Sequence, residues 1–363
     1  MNTSYDAIRE AAGTLDDYPW SLAETAALGD AGLRTSADHL GFMIITPDAV
    51  HRGRHLEVLD TLRRAGFQLL AHRSLKLRDD HIEELYKYGL RKKIMDNRRT
   101  HWFLTRKGLG FGVSVGLLLR HPEPGACERL LALKGASDPS AAAADSIRGA
   151  VRSYSKILAL VHSSDDAPAV MRECLLFFTR REMEIAVGLK EPQGHAGNHW
   201  EAVAETLSPT DASADPVEVF WAVKLRTARV LLSHPLAPKG LAPLARLHLD
   251  LLRSGRETAA GNRGGWLTRM PDTEKMLARE LDLLDSRPFA EAVARAMGDG
   301  RPGYDLAPLA WCALALAVRQ LADAPGFTDL PTDRLLDSLH QAGVHLTPWE
   351  SLVLENLLHF WPR

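Results

Sequence analysis

One short segment of the chain combines residue types that could transfer a phosphoryl group. It reads Val161-His162-Ser163-Ser164-Asp165-Asp166, and Glu173 follows it. An apolar run precedes His162 and a helical pattern follows it, so we expect this histidine where a strand ends and a helix begins. A helix start offers unpaired N–H groups and a positive dipole end, which suit phosphate. If Glu173 bonds one imidazole nitrogen, the other is free to attack phosphorus. A structural histidine is the alternative interpretation.

The elements that must position His162 alternate along the first half of the chain. Four apolar, strand-like runs are separated by segments with helical spacing. The predicted strands cover residues 41–46, 67–77, 111–119 and 157–161, and the predicted helices cover 58–66, 79–88, 124–133 and 166–178. This order predicts an α+β fold, a ferredoxin-like antiparallel α/β sandwich, followed by an all-α helical domain.

The second half of the chain carries helical patterns only. The first of them opens at Asp215-Pro216, where a capping residue precedes a proline in the first turn. Six of the eight tryptophans lie in this half, which provides enough large apolar side chains for a separate core. We therefore predict a helical N-terminal extension over 1–38, an α/β domain over 39–185 and an all-helical C-terminal domain over 195–363.

Composition and charge argue against several classes of protein. The formal net charge of -2 provides no global field for nucleic acid or an anionic membrane surface. The three cysteines are far apart and lack metal-ligand spacing, which predicts reduced, buried thiols and no metal site of protein ligands. No signal-peptide pattern begins the chain, and no apolar run approaches the length of a membrane span. We expect a cytoplasmic protein that binds neither membranes nor nucleic acid.

Several motifs, in the same order, resemble those of the nucleoside diphosphate kinase family. His162, Ser164, Asp165 and Glu173 match in register the family's His-Gly-Ser-Asp-Ser signature and the glutamate eleven residues after the histidine. Four further parts of the chain resemble motifs of the family. Residues 43–53 resemble the first strand and turn, and Tyr86 matches a tyrosine after the second helix. Residues 135–139 resemble Gly-x-Thr-x-Pro, and residues 146–149 resemble Thr-Ile-Arg-Gly. The resemblance runs over about residues 41–178, which is under half of the chain.

The resemblance implies ping-pong phosphoryl transfer between nucleotides, with ATP or another nucleoside triphosphate as donor and Mg²⁺ bridging the phosphates. It implies that His162 is the catalytic nucleophile, that a phosphohistidine forms on it, and that Glu173 orients it. The nucleotide-binding and phosphate-binding positions it implies are Arg148, Arg129, Ser137, Thr46, Tyr86 and Ser164. It also implies a homo-oligomer, because most members of the family form oligomers through this domain.

The chain departs from the family pattern at phosphate-binding positions. Thr46 stands where the family has a lysine, Ala159 replaces an asparagine, and Arg129 is offset by two residues from a family arginine. A hydroxyl brings no charge, and hydrogen bonds to charged groups are worth roughly 1.5–3 kcal/mol against about 1 kcal/mol for neutral ones. Full rate therefore requires another cation. The candidates are Arg52, Arg54 and Lys134.

Three functions fit these patterns. The first is a phosphotransferase that works through His162. The second is a nucleotide-binding module that has lost turnover and acts as a sensor or scaffold, with the helical domain as partner surface. The third is different chemistry on a nucleotide-like substrate in the same pocket, because a fold does not determine a function. Trp102 or Phe103 could stack on a base, or could equally belong to the core.

Overall fold

The computed structural model describes residues 36–87, 90, 101–188, 200–207, 215–259, 273–298, 307–323 and 332–360. The chain divides into two compact units, Met1–Ala212 and Ser213–Arg363. The predicted N-terminal extension over 1–38 lies outside the described residues apart from residues 36–38.

A four-stranded antiparallel sheet forms the centre of the first unit. Its strands are β1 (Leu40–Ile45), β2 (Gln68–Leu75), β3 (Ser114–Arg120) and β4 (Val161–Ser163). Their order across the sheet is β2-β3-β1-β4, so β1 lies between β3 and β4. This is the predicted ferredoxin-like sandwich, and the α+β fold class is confirmed.

Nine helices accompany the sheet among the described residues of the first unit. They are α1 (Pro47–His51), α2 (His55–Arg64), α3 (Asp79–Leu85), α4 (Trp102–Gly110), α5 (Ala126–Lys134), α6 (Ile147–Ala150), α7 (Ala167–Cys174), α8 (Arg180–Ala186) and α9 (Trp200–Thr206). Thr46, at the N-cap of α1, directly follows β1, and α7 follows β4 after three residues.

Both faces of β1 are covered, which explains why its sequence is apolar throughout. Successive side chains of a strand point to opposite faces. Met43 and Ile45 belong to a core formed with residues of α2 and α5, whereas Phe42 and Ile44 belong to a second core formed with residues of α3 and α7. Gly41 allows α5 to approach closely, because a Cβ there would lie 2.3 Å from a methyl carbon of Leu130.

Two strand predictions were wrong in their limits. The fourth strand was predicted over 157–161, but β4 covers Val161–Ser163, so His162 lies within the strand and not after it. The third was predicted from residue 111, but β3 begins at Ser114, because residues 111–113 connect the strand to the unpredicted helix α4. Gly108 and Gly110 lower the helix propensity of that segment, although at Gly108 the glycine makes room for Ile157.

Helix α9 packs with the first unit. Its Val203, together with Leu207, lies in the core that also contains Val58 and Leu62 of α2. The sequence-based domain limits assigned residues 200–207 to the C-terminal domain, whereas the division between the two units falls at Ala212. The hydrophobic contacts of this short helix, which the sequence alone does not reveal, account for the difference.

The second unit consists of helices over its described residues. They are α10 (Pro216–Ser233), α11 (Ala242–Ala259), α12 (Thr273–Leu284), α13 (Arg287–Gly298), α14 (Ala307–Ala322), α15 (Thr332–Gln341) and α16 (Pro348–His359). The predicted start of α10 is confirmed, since the Asp215 side chain accepts a hydrogen bond from the Val217 N–H at 3.0 Å and Pro216 opens the helix. All three cysteines are buried and unbridged. Over the described part of the chain, no helix is both long and apolar enough to cross a membrane.

Candidate active site

His162 is the middle residue of β4 and pairs with Ile44 of β1, one of the two inner strands of the sheet. The strand pairing holds the backbone, and the side chain keeps about 20% of its surface exposed. Its Nε2 lies 2.8 Å from Oε2 of Glu173. His162 is therefore fixed in position yet open to a ligand from one side.

The Glu173 carboxylate is surrounded by donors. Its Oε2 accepts from the Ser164 hydroxyl at 2.8 Å as well as facing His162. Its Oε1 accepts from Nη2 of Arg172 at 2.8 Å. Helix α7 brings Glu173 to this point, and the Asp166 side chain caps that helix by accepting from the Ala169 N–H at 2.8 Å. The predicted partners His162 and Glu173 are thus brought together. Ser164 was predicted to bind nucleotide or phosphate; it donates here to Glu173, and that binding role stays a prediction.

These contacts determine the protonation of the pair. Burial opposes the charged form of Glu173, but the neighbouring His162, Arg172 and Ser164 outweigh burial and lower the pKa of this carboxyl below its ordinary value. A charged carboxylate only accepts hydrogen bonds. The imidazole proton is therefore on Nε2, and the lone pair of Nδ1 is free for nucleophilic attack when the ring is neutral.

Aromatic rings border His162 on the side of α3. The Tyr86 ring lies edge-on to the His162 ring, with centroids 5.9 Å apart, and Trp102 contacts Tyr86 in the same manner at 5.7 Å. Trp102 is buried in the core, so it does not present a free stacking face. Burial, with a smaller effect of Glu173, raises the pKa of Tyr86 to about 12. Tyr86 consequently remains a neutral phenol.

A tight turn precedes the histidine and places Leu160 in the left-handed region, at φ 71°. The Val161 N–H donates to the Ala159 carbonyl at 2.8 Å, which makes Leu160 the centre of a γ-turn. Such a conformation costs about 1–3 kcal/mol. Two long-range contacts hold it: the Leu160 carbonyl accepts from the Thr46 N–H, and the Leu160 N–H donates to Asp48. Asp48 in turn accepts from the Thr46 hydroxyl at 2.5 Å.

The Thr46 side chain is therefore held in the protein interior by a hydrogen bond. It is buried, and its hydroxyl proton is directed at Asp48. Burial raises the pKa of Asp48, and this effect outweighs the opposing charge of Arg52 and the hydrogen bonds from Thr46 and Leu160. In this arrangement the hydroxyl supports the turn before His162 and donates nothing to a phosphate.

Arg148 is buried and bonded to the protein through four of its five N–H donors. Nε and Nη2 donate to the carbonyls of Ala159 and Val161 at 3.2 and 3.0 Å, on either side of the γ-turn. Nη1 donates to the Gly135 carbonyl at 3.0 Å and to the Ser137 hydroxyl at 3.2 Å. Arg148 and Ser137 are thus brought to the site, where the observed contacts of Arg148 are structural. Their predicted contacts with phosphate stay predictions.

The other candidate arginines are engaged elsewhere. Arg129 forms an exposed ion pair with Glu123, and Arg54 forms one with Glu57. Arg52 donates to the Arg152 carbonyl at 3.0 Å, and its guanidinium lies 4.8 Å from the centre of the Tyr154 ring. No contact of Arg129 with the His162 cluster is seen among the described residues, so its role in binding phosphate stays a prediction.

Lys134 differs from these arginines. It is the last residue of α5, directly before Gly135, whose carbonyl binds Arg148. Burial, and then the charge of Arg148, lower the pKa of Lys134, while Asp165 and Glu173 act in the opposite direction. Its ammonium is therefore within electrostatic reach of the cluster around His162. Within the described parts of the chain it makes no ion pair.

A protein-held metal site is not evident. Over the described residues, no group of three or more His, Cys, Asp or Glu side chains is arranged to hold a metal ion. The binding of Mg²⁺ by the phosphates of a nucleotide, which the family resemblance implies, stays a prediction.

Three features of the site were not predicted from the sequence: the Arg172 bond to Glu173, the role of Asp48, and the γ-turn at Leu160. A basic residue directly before Glu173 was the only local signal for the first. Asp48 was noted only as part of a turn after β1, and nothing in the apolar run before His162 marks Leu160 as left-handed.

Comparison with known proteins agrees with these findings. A family profile described as "Nucleoside diphosphate kinase" matches residues 40–183. The chain is 31% identical over 147 residues to the nucleoside diphosphate kinase of Ignicoccus hospitalis, covering 40% of this chain and 92% of that protein. It is 30% identical over 142 residues to the enzyme of Fervidobacterium nodosum, covering 39% of this chain and 90% of that protein.

Solved structures match the same part of the chain. A nucleoside diphosphate kinase family protein from Babesia bovis is 24% identical, with 40% of this chain and 90% of that chain covered and a TM-score of 0.34. An NDP kinase from Pyrobaculum aerophilum is 23% identical, with 40% and 97% covered and a TM-score of 0.34. On the family profile and the sequence relatives, the chain belongs to the nucleoside diphosphate kinase family through residues 40–183.

Proposed function

We propose that this protein is a phosphotransferase that moves the γ-phosphoryl group of a nucleoside triphosphate, through a phosphohistidine at His162, to a nucleoside diphosphate or a related acceptor. The 2.8 Å contact between His162 Nε2 and Glu173 Oε2 supports the proposal most directly. It directs the proton to Nε2 and leaves Nδ1 as the nucleophile on a side chain that a ligand can reach.

In the first half-reaction the Nδ1 lone pair attacks the γ-phosphorus. The bond from phosphorus to the bridging β–γ oxygen breaks, and the nucleoside diphosphate leaves with that electron pair. In the second half-reaction an oxygen of the acceptor attacks the same phosphorus and the N–P bond breaks, which restores His162. Glu173 holds the ring in one orientation and balances the charge that develops on it. A bound Mg²⁺ would neutralise phosphate charge.

Lys134 is our proposed source of the positive charge that Thr46 lacks. Among the candidate cations, Lys134 is the one whose pKa is affected by the charges of Arg148, Asp165 and Glu173. It also makes no ion pair among the described residues. The alternatives Arg52 and Arg54 already have partners in the protein. A lysine at the end of α5 would approach the phosphates from a different element than the family's lysine after β1.

The first experiment is transfer of γ-labelled phosphate from ATP or GTP to the purified full-length chain in the presence of Mg²⁺. Wild type is compared with His162→Ala and with His345→Ala, a control for an exposed histidine of the helical unit. We expect an acid-labile, base-stable label on wild type and on the control, and none on His162→Ala. Equal labelling of all three proteins would rule out His162 as the nucleophile.

A nucleotide-binding module without turnover is the second candidate function. The observation that favours it is the commitment of the Thr46 hydroxyl to Asp48, which removes a donor from the phosphate site. Nucleotide binding measured by calorimetry, with no label on wild type, would support this function. Light scattering on the same sample tests the implied homo-oligomer.

A further inference from the structure

Arg172 connects two structures that hold His162. Its side chain is about nine-tenths buried, and its guanidinium reaches in two directions. Nη2 donates to Oε1 of Glu173 at 2.8 Å. Nη1 donates to the carbonyl oxygens of Glu84 and Leu85 at 2.8 and 3.3 Å. One side chain of α7 therefore bonds both the carboxylate beside His162 and the end of α3.

The end of α3 is part of the surroundings of His162. Carbonyl oxygens at a helix C-terminus lack helical partners, and a guanidinium is a favourable group there. Leu85 is the last residue of α3, and Tyr86 follows it with its ring edge-on to His162. By fixing these carbonyls, Arg172 also fixes the residue that borders the histidine.

The second effect of Arg172 is on the charge of Glu173. The carboxylate is shared between the guanidinium, the Ser164 hydroxyl and the imidazole. A carboxylate shared in this way attracts a proton onto the imidazole less strongly than an unshared one. Among the described residues, the other charged or titratable groups that interact with the pair or its neighbours include Arg148, Lys134, Asp165, Tyr86, Cys127 and Cys174.

We infer that Arg172 is a positioning residue for the reaction, acting through Glu173 and through the end of α3. The inference rests on the function proposed above. Arg172 does two things: its charge limits the hold of Glu173 on a protonated His162, and its forked geometry aligns Glu173 with Tyr86. An arginine with a purely structural role would do neither, since it would affect only the stability of the fold.

Two variants separate charge from geometry. Arg172→Gln removes both the positive charge and the branched guanidinium, whereas Arg172→Lys keeps the positive charge and removes the branched guanidinium. Arg180→Gln is the matched control, because Arg180 pairs with Glu184 on the next helix and is 44% exposed. The kcat and KM for phosphoryl transfer are measured against pH for all four proteins, together with their thermal unfolding.

For Arg172→Gln we expect kcat to fall about 10- to 100-fold, the cost of a misplaced catalytic group, with a smaller change in KM. Its acid limb of activity is expected at higher pH than in wild type, because Glu173 then holds a proton on His162 more firmly. Arg172→Lys is expected to lower kcat with the acid limb unmoved, and Arg180→Gln to resemble wild type. An Arg172→Gln enzyme with an unmoved acid limb would overturn the inference, whether or not its stability changed.

An NMR titration separates this inference from the proposed function. If wild type forms no phosphoenzyme, the proposed function fails, but the His162 ring signals can still be followed against pH in wild type and in Arg172→Gln. Movement of their transition to higher pH in the variant supports the electrostatic role of Arg172. Coincident transitions would end that role, even if wild type proved to be an active kinase.

Discussion

Asp48 Oδ2 accepts a hydrogen bond from the Leu160 N–H at 3.2 Å across 112 residues of sequence, and so holds the left-handed residue two places before His162. The carboxyl is buried, and burial raises its pKa. The turn that presents the histidine is thus held by a group whose ionisation opposes folding.

This arrangement predicts the effect of Asp48→Asn on stability. With the folded-state pKa above the unfolded value, the native protein binds the proton more tightly. Stability contributed by this group is therefore complete below the unfolded pKa of 3.8 and is lost as pH rises through the folded value. Each unit of difference in pKa is worth about 1.4 kcal/mol. Asparagine stays neutral and can still accept from Leu160, so Asp48→Asn should gain stability relative to wild type as the pH rises above 3.8, as urea unfolding would reveal. A gap that does not change with pH would contradict the prediction.

Glu173→Gln tests the orientation of the proposed nucleophile, His162. An amide can present its oxygen to Nε2, but it supplies no negative charge and leaves Arg172 without its counter-charge. We expect the rate of phosphoenzyme formation to fall about 100-fold, the scale of loss for a displaced catalytic group. Rapid-quench labelling measures this rate. Ser164→Ala, which removes one hydrogen bond from a neutral hydroxyl to the same oxygen, provides the comparison and should be affected less.

Lys134→Gln tests the proposed phosphate charge. Loss of one charged hydrogen bond, at about 1.5–3 kcal/mol, corresponds to a decrease of roughly 10- to 100-fold in kcat/KM for the nucleotide. Arg64→Gln removes an exposed charge on α2 that is paired with Asp60, and we expect little change from it. A steady-state comparison of the two variants suffices, and equal losses would show that the site of the charge is immaterial.

The pH dependence of a Lys134→Arg variant extends this test. Burial, with Arg148, lowers the pKa of Lys134, so its charge is lost at a lower pH than that of an exposed lysine. Arginine remains charged throughout. The variant should therefore retain a larger share of its activity at alkaline pH than wild type does.

In the helical unit, a buried ionic cluster predicts a large effect on stability. Lys224 Nζ lies 2.7 Å from Oε2 of Glu280, and His248 Nε2 lies 2.9 Å from Oε1 of the same carboxylate, with all three side chains buried. Removal of one partner of such a pair leaves a buried charge and costs about 3–5 kcal/mol. We expect this loss for Glu280→Gln and for Lys224→Met.

The measurement is urea unfolding, monitored by hydrogen exchange of the backbone amides within residues 216–233. The double variant Lys224→Met with Glu280→Gln should lose less than the sum of the two single variants, because neither charge of the pair remains. Arg287→Gln breaks an exposed pair with Glu291 and should change stability by less than about 1 kcal/mol. Additive losses in the double variant would show that the pair has no coupling.

The sequence sufficed where a signal was local. The apolar run of β1, the Asp215-Pro216 helix start and the eleven-residue separation of His162 and Glu173 each lie within one or two elements. Strand β4 was misplaced because the apolar residues before it, which resemble a strand, form the γ-turn and its approach. A hydrophobic pattern does not distinguish these two conformations.

The remainder of the site depends on contacts between distant segments. Asp48 meets Leu160 across 112 residues, and Arg172 meets Glu84 across 88. For Arg148, the carbonyl oxygens that it binds carry no information about side-chain type. The same limit applies to Thr46. Its place at the position of the family's lysine was evident from the sequence, but its hydrogen bond to Asp48 is seen only in the folded chain.

The long separation between Asp48 and Leu160 has a kinetic consequence. Closing a long loop costs chain entropy before the contacts at its ends can stabilise it, so distant pairings are slow steps in folding. Strand β1 acquires β4 as its neighbour only when residues 161–163 arrive, and the γ-turn forms with them. Upon refolding, or during synthesis on the ribosome, His162 should become competent among the last events in this unit. Recovery of the proposed phosphotransferase activity would then report complete folding of the unit, and not merely collapse of its core.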